Sequence, residues 1–187
     1  MDWKSINIHS IERGSLANGP GKRLVVWTQG CSIKCKGCWN PETHPGGGKL
    51  VSVATILQEL IDGAYVGLTI TGGEPFDQAD AILQLGAFAK QKGFSSIVFS
   101  GFTFSVINRI HGIEKITESF DVILSDPYVT QPEYRSVEEA LSNKTLTFLT
   151  DRYDQKEFEL IPPCEVIIGR DGEVRITGLS VPRLSNT

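Results

Sequence analysis

Apolar positions along the chain fall into two alternating patterns. Short runs of mostly β-branched and apolar residues occur at Leu24–Thr28, Gly67–Thr71, Ser96–Phe99, Val122–Leu124 and Thr145–Phe148. Between them apolar residues recur at helical spacing. Ser52 is placed to cap a helix running to about Asp62, with Val53, Ile56, Leu57 and Leu60 on one stripe. Asp77 or Gln78 opens a second helix, with Ile82, Leu83, Leu85 and Phe88 on its apolar side and Gly93 as its stop. Phe104–Ile110 and Ile113–Phe120 read as further helical turns. Strand and helix in alternation predict a parallel sheet with right-handed crossovers, and continuous apolar strands predict a sheet covered on both faces. The chain of 187 residues is short of the ~250 of a closed eight-fold barrel. The predicted fold is therefore α/β, a partial, open βα barrel of about five to six parallel strands. The tail differs: Glu165–Ile168 and Glu173–Ile176 around Asp171-Gly172 predict a C-terminal β-hairpin. One domain spans 1–187, with a core over about 6–150 and the hairpin extension over about 160–180.

Composition narrows the function classes. Charged residues make up 21% and the net charge is −4, which disfavours nucleic acid, because phosphate binding needs a basic face. No apolar run reaches the ~20 residues of a membrane span, so a membrane location is not expected. The N-terminal Met1-Asp2-Trp3-Lys4-Ser5 lacks the apolar stretch of a signal peptide. A cytoplasmic, reducing location is expected, where clustered cysteines are more often metal ligands than disulfides. The histidines at 9, 44 and 111 form no nucleophilic triad pattern, and the glycine-rich segments match no phosphate-binding fingerprint.

Three of the four cysteines stand together in Gly30-Cys31-Ser32-Ile33-Lys34-Cys35-Lys36-Gly37-Cys38-Trp39-Asn40-Pro41. Three is an incomplete set for structural zinc and for a fully ligated cubane cluster, each of which takes four protein ligands. A cluster held by three cysteines leaves one iron open. A Cys3His zinc site with His44 as the fourth ligand is the rival reading. Cys164, alone after Pro162-Pro163, is read as a small buried side chain without a role. The cysteine loop, Gly72-Gly73-Glu74-Pro75 and Ser100-Gly101-Phe102 each follow a predicted strand. In a parallel sheet all three open on one face, at the carboxyl ends of the strands. Gly72 and Gly73, lacking Cβ, let backbone approach a ligand closely there, or serve only an ordinary strand-to-helix turn.

The Cys-x3-Cys-x2-Cys motif followed one βα unit later by Gly-Gly-Glu-Pro resembles the radical S-adenosylmethionine (SAM) superfamily. Gly19-Pro20-Gly21-Lys22-Arg23 and Trp27-Thr28-Gln29-Gly30-Cys31 resemble the signature of glycyl-radical-enzyme activating enzymes, with Trp27 where Phe is usual. Cys35-Lys36-Gly37-Cys38-Trp39-Asn40, Ser100-Gly101-Phe102-Thr103 and Asp126-Pro127-Tyr128-Val129 are most similar to the anaerobic ribonucleotide reductase activating proteins. The resemblance covers about Ile6 to Phe148.

It implies a 4Fe–4S cluster on Cys31, Cys35 and Cys38, with SAM chelated to the open iron. An electron from the cluster then cleaves SAM to a 5′-deoxyadenosyl radical, which abstracts hydrogen from a glycine of a partner enzyme. The implied partners are a glycyl radical enzyme, the anaerobic ribonucleotide reductase, and flavodoxin or ferredoxin as electron donor. The carbonyls of Gly72 and Gly73 and the carboxylate of Glu74 face the methionine ammonium of SAM in this reading. Gly37 departs from superfamily members with an aromatic residue before the last cysteine. Trp39 then either takes the packing role near adenine or shields the cluster. Asn40 is a polar contact near SAM. Ser100 contacts the ribose or the methionine carboxylate, or serves as a turn hydroxyl. Asp126 is an acidic strand-end residue or a capping aspartate. Arg23 pairs with a carboxylate of SAM or of the partner loop, or belongs to a rigid turn. Two alternatives remain: a small radical SAM enzyme modifying a peptide or small molecule, and a non-catalytic zinc-binding interaction module.

Overall fold

A computed structural model of the chain describes residues 2–129, 143–169 and 172–178. In chain order the strands are β1 (Ser5–Ser15), β2 (Arg23–Thr28), β3 (Lys49–Ser52), β4 (Gly67–Gly72), β5 (Ser95–Phe99), β6 (Val122–Ser125), β7 (Thr145–Phe148), β8 (Cys164–Ile168) and β9 (Val174–Gly178). The helices are α1 (Val53–Asp62), α2 (Ala79–Gln91), α3 (Phe104–His111), α4 (Ile113–Ser119) and a short α5 (Gln155–Glu159). Three-residue and four-residue 3-10 turns sit at Pro41–Thr43 and Pro75–Gln78.

Seven strands form one open sheet in the order β3-β1-β2-β4-β5-β6-β7, and β8 and β9 pair separately. The centre, β2-β4-β5-β6, is parallel. Both margins are antiparallel: β1 on β2, β3 on β1, and β7 on β6. The α/β class, the open sheet and the C-terminal hairpin agree with the sequence. The parallel run is four strands rather than five to six, because Thr145–Phe148 lies against β6 in the opposite direction. An apolar run encodes burial, not strand direction. Asp171, half of the expected Asp-Gly turn, lies outside the described residues. Cys164 is half-buried in β8 rather than buried.

The alternation of side chains across the pleat divides the core in two. Leu24, Val26, Leu68, Ile70, Val98 and Ile123 face the helices and pack with Ile56, Leu60, Ile82 and Ile116. On the other face Ile97, Val122 and Leu124 pack with Phe158 and Ile161. Ser52 caps α1 as expected, its side chain accepting from the Thr55 N–H, and Gly93 lies just past α2 at φ +88°. The lower part of the second face is thus closed by α5 and its flank. The upper part, at the carboxyl ends of β2, β4 and β5, holds the cavity described next.

Candidate functional site

Gly30, at φ +98° with open space where a Cβ would stand, turns the chain out of β2 into the cysteine loop. This is a backbone region that residues with a side chain seldom occupy. The loop is tied down on two sides. Gly30 N–H donates to Thr43 O (2.8 Å) and Cys31 N–H to His44 O (3.2 Å). On the other side Glu74 N–H donates to Gly30 O (2.9 Å), and Asp77 accepts from the Ser32 N–H and hydroxyl, both at 2.7 Å. Gln29 reaches the carbonyls of Glu42 and Pro45. The loop's path is therefore set by the segment that follows it and by the end of β4.

Cys31, Cys35 and Cys38 are half-buried, unpaired as disulfides, and line one cavity with Gly73, Glu74 and Ser100. Gly37, at φ +72°, turns the chain so that Cys38 N–H meets Cys35 O (3.2 Å). The Asn40 N–H points at Cys38 Sγ (3.4 Å), the kind of amide–sulfur contact that tunes iron–sulfur centres. Burial pushes the Cys38 thiol above its ordinary pKa, and this amide pulls the other way. Coordination to a metal overrides such a shift, since a ligating thiol is deprotonated outright.

The thiols do not converge as a single-ion site would require. Donors of one tetrahedral zinc lie about 3.8 Å apart, from Zn–S bonds of about 2.3 Å. Among the described residues no three His, Cys, Asp or Glu side chains are grouped to hold one metal ion. His44 also lines the cavity. Three soft sulfur donors spread around a cavity fit a multi-iron cluster, whose ligands each bind a different iron.

The two glycines at the end of β4 do permit close approach, but to the chain itself. A Cβ on Gly72, at φ +104°, would stand 2.5 Å from Thr28 N, and one on Gly73 only 2.1 Å from Gly30 O. They seal β4 against β2 and bring the Gly-Gly-Glu-Pro turn under the first cysteine. Glu74 is buried and its carboxylate is engaged. One oxygen accepts from Phe76 N–H and Ser100 Oγ (2.9 Å each), the other from Gly101 N–H (2.7 Å). Burial raises its pKa, and those three donors partly offset the rise. Glu74 thus ties the ends of β4 and β5 together, and Ser100 is its partner. Glu74→Gln replaces an acceptor by a donor facing a backbone N–H or the hydroxyl. It is expected to lose about 1–3 kcal/mol of stability, readable in urea unfolding of the metal-free protein.

Trp39 and Asn40 line the cavity. The Trp39 indole lies against Tyr128, ring centroids 5.8 Å apart, and is 36% exposed, so the two rings form a partly open rim. Gly37 and Asp126 are not among the lining residues. Asp126 takes φ +89° and contributes backbone, its N–H donating to Phe102 O (3.0 Å). Arg23 does not stand at the mouth. It is fully buried at the opposite end of β2, donating to Thr69 Oγ1 (2.7 Å), Ser95 Oγ (2.9 Å) and Leu68 O (2.6 Å). Its length and five donors serve the strand starts rather than a ligand.

Lys144 is among the lining residues that motif reading missed, with Asn18 and Asn143. Its Nζ donates to Ser100 O (3.4 Å) and to Asp126 O, beside the cysteines. Burial lowers its pKa, against the opposing charges of Cys35, Glu74, Asp126 and Cys38. A lone lysine before a strand carries no pattern that separates it from a solvated one.

A family described as "4Fe-4S single cluster domain" matches residues 17–147, a span that contains the cysteine loop, the Gly-Gly-Glu-Pro turn and Lys144.

The chain belongs to that family.

Among curated proteins it is similar to the pyruvate formate-lyase-activating enzyme of Listeria monocytogenes, 32% identical over 135 residues that make up 67% of this chain and 54% of the relative. The enzyme of the same name from Clostridium pasteurianum is 32% identical, over 64% of this chain and 51% of its own. That from Streptococcus mutans is 29% identical, over 78% and 60%. The chain thus spans little more than half the length of these relatives. Among solved structures, QueE from Escherichia coli aligns over 53% of each chain at 19% identity with a TM-score of 0.44, a likeness too slight to specify a fold. The resemblance to radical SAM proteins, and to activating enzymes among them, agrees with the family match and the curated relatives. No helix among the described residues is long and apolar enough to cross a membrane.

Proposed function

We propose that this 4Fe–4S family member is a radical SAM activating enzyme for a glycyl radical enzyme. One observation carries the reading: the three thiols share their cavity with the Gly-Gly-Glu-Pro strand end and with the Trp39–Tyr128 rim. Cys31, Cys35 and Cys38 each hold one iron and leave the fourth for SAM. Bound there, the cluster and SAM supply a one-electron reductant and an organic radical able to take a hydrogen atom.

The chain's own residues position and enclose. The Asn40 N–H steadies Cys38 Sγ, and the Glu74–Ser100–Gly101 bonds hold two strand ends at fixed separation. The indole of Trp39 and the ring of Tyr128 screen the cavity from water on one side. Asn40 offers an amide to SAM. Gly72 and Gly73 offer carbonyls near its ammonium, while the negative charge of Glu74 acts from one layer behind.

The partner's glycine enters past the open rim. The names of the relatives support a pyruvate formate-lyase type of partner. Cys35-Lys36-Gly37-Cys38-Trp39-Asn40 supports an anaerobic ribonucleotide reductase, with flavodoxin or ferredoxin as donor. Cluster reconstitution under anaerobic conditions, reduction and addition of SAM should yield 5′-deoxyadenosine. Mixing with each candidate partner should then give a glycyl radical by spin resonance with one of them. A colourless zinc protein, or a reduced cluster that leaves SAM intact, overturns the proposal. Nucleoside formation without a radical on either partner moves the reading to a small radical SAM enzyme acting on a peptide or metabolite.

A further inference from the structure

Lys144 is a buried cation held by backbone carbonyls rather than by an ion pair. Its ammonium has three N–H donors, and two of them meet backbone carbonyls, those of Ser100 and Asp126 at the ends of β5 and β6. Among the described residues no carboxylate stands within ion-pair distance of it. The charges of Glu74 and Asp126 act on it only from beyond ion-pair distance, and the Glu74 carboxylate takes its hydrogen bonds from Phe76, Ser100 and Gly101. Carbonyl dipoles orient a buried ammonium but do not neutralise it, and an uncompensated buried charge is costly. The cavity it lines is the one lined by Cys31, Cys35 and Cys38.

We propose that Lys144 is the counter-ion of the thiolate-bound iron–sulfur cluster, a positioning residue that raises the cluster's reduction potential. This rests on the three-cysteine cluster of the preceding reading, but not on SAM cleavage or on any partner. Three thiolates make the cluster's surroundings anionic, and reduction adds one more negative charge. A fixed positive charge beside it stabilises the reduced form more than the oxidised one. At an effective dielectric near 20, a unit charge even about 12 Å away changes such an equilibrium by about tenfold, and a closer one by more. For a one-electron couple that is about 59 mV. The two carbonyl bonds keep the ammonium from swinging out to solvent.

The test is a redox titration of the reconstituted full chain without SAM, followed by spin resonance, with iron and sulfide assayed for every sample. Lys144→Met, which removes the charge and keeps most of the volume, should lower the midpoint potential by about 59 mV or more, the tenfold change above. Lys144→Arg should stay near the parent. Loss of the cluster in Lys144→Met but not in Lys144→Arg also supports the assignment, since charge then decides assembly. An intact cluster with unchanged potential in Lys144→Met overturns it. So does Lys144→Arg behaving like Lys144→Met, or neither variant assembling a cluster, because shape and not charge would then be what matters. A Lys144→Met potential that shifts as expected, in a protein whose parent never cleaves SAM, defeats the activase reading and leaves this one standing.

Discussion

Alanine in place of Cys31, Cys35 or Cys38 is expected to abolish the brown chromophore of the reconstituted protein. Bound iron should fall from about four atoms per chain toward none. His44→Ala is expected to leave both unchanged. The contrast follows from the donor set. In the three-cysteine cluster proposed above each cysteine would be the sole protein ligand of one iron, so each loss would open a second site on a cluster that already has one bare iron. The imidazole of His44 lines the same cavity but is not grouped with the thiols at single-ion spacing. In a Cys3His zinc site all four residues are equivalent, and His44→Ala would release metal as readily as any cysteine variant. Iron, zinc and sulfide analysis of the four proteins, purified without oxygen, decides between the two. Any product of SAM cleavage should fall below detection in the three cysteine variants, a loss of at least about a thousandfold if the parent turns over at ordinary enzyme rates.

What could be read from the sequence, and what could not, divides along physical lines. Helices with a cap and a stripe were legible: Ser52 and the Val53–Leu60 spacing define α1, and Gly93 ends α2. The fully buried strands were legible as apolar runs. The first strand was not. Its pairing with β2 shifts register between Ile8 and Ser10 and again between Arg13 and Ser15, so its buried positions do not keep the period of two by which strands are recognised. The short Lys49–Ser52 strand carries only one strongly apolar pair, Leu50-Val51, and Leu50 is exposed. At the site, the cysteines and the Gly-Gly-Glu-Pro turn were legible because their spacing is itself the signal. For Arg23 the resemblance offered a carboxylate partner beside a rigid turn, and the sequence could not choose between them. Here it spans the buried strand starts and bonds to neutral groups. Glu74 was legible as important but not in its bonding, since two of the three partners of its carboxylate follow β5, 26 and 27 residues on. Lys144 depends on the same long-range packing, 44 residues from Ser100.

Gly73→Ala is expected to cost about 3 kcal/mol, at the upper end for overpacking, and to lower cluster content with it. A methyl on Gly73 would lie 2.1 Å from Gly30 O, 2.8 Å from Gly30 C and 3.1 Å from Thr43 O. All three are backbone atoms, so no side chain can rotate away. Gly30 O is also the acceptor for the Glu74 N–H, and the clash removes that bond unless the loop itself moves. The loop cannot move far without taking Cys31 with it. Gly93→Ala is the matched control. Gly93 sits at φ +88° with open space around the added methyl, so its replacement costs about 1–2 kcal/mol of backbone strain and reaches no cysteine. Thermal unfolding of the metal-free proteins, paired with iron content after reconstitution, separates the two effects. If Gly73→Ala loses stability but holds the same iron as Gly93→Ala, the strand end and the cysteine loop are mechanically independent. If it loses both, the Gly-Gly-Glu-Pro turn works first as the floor on which the cysteine loop is built, and its contribution to ligand contact is secondary.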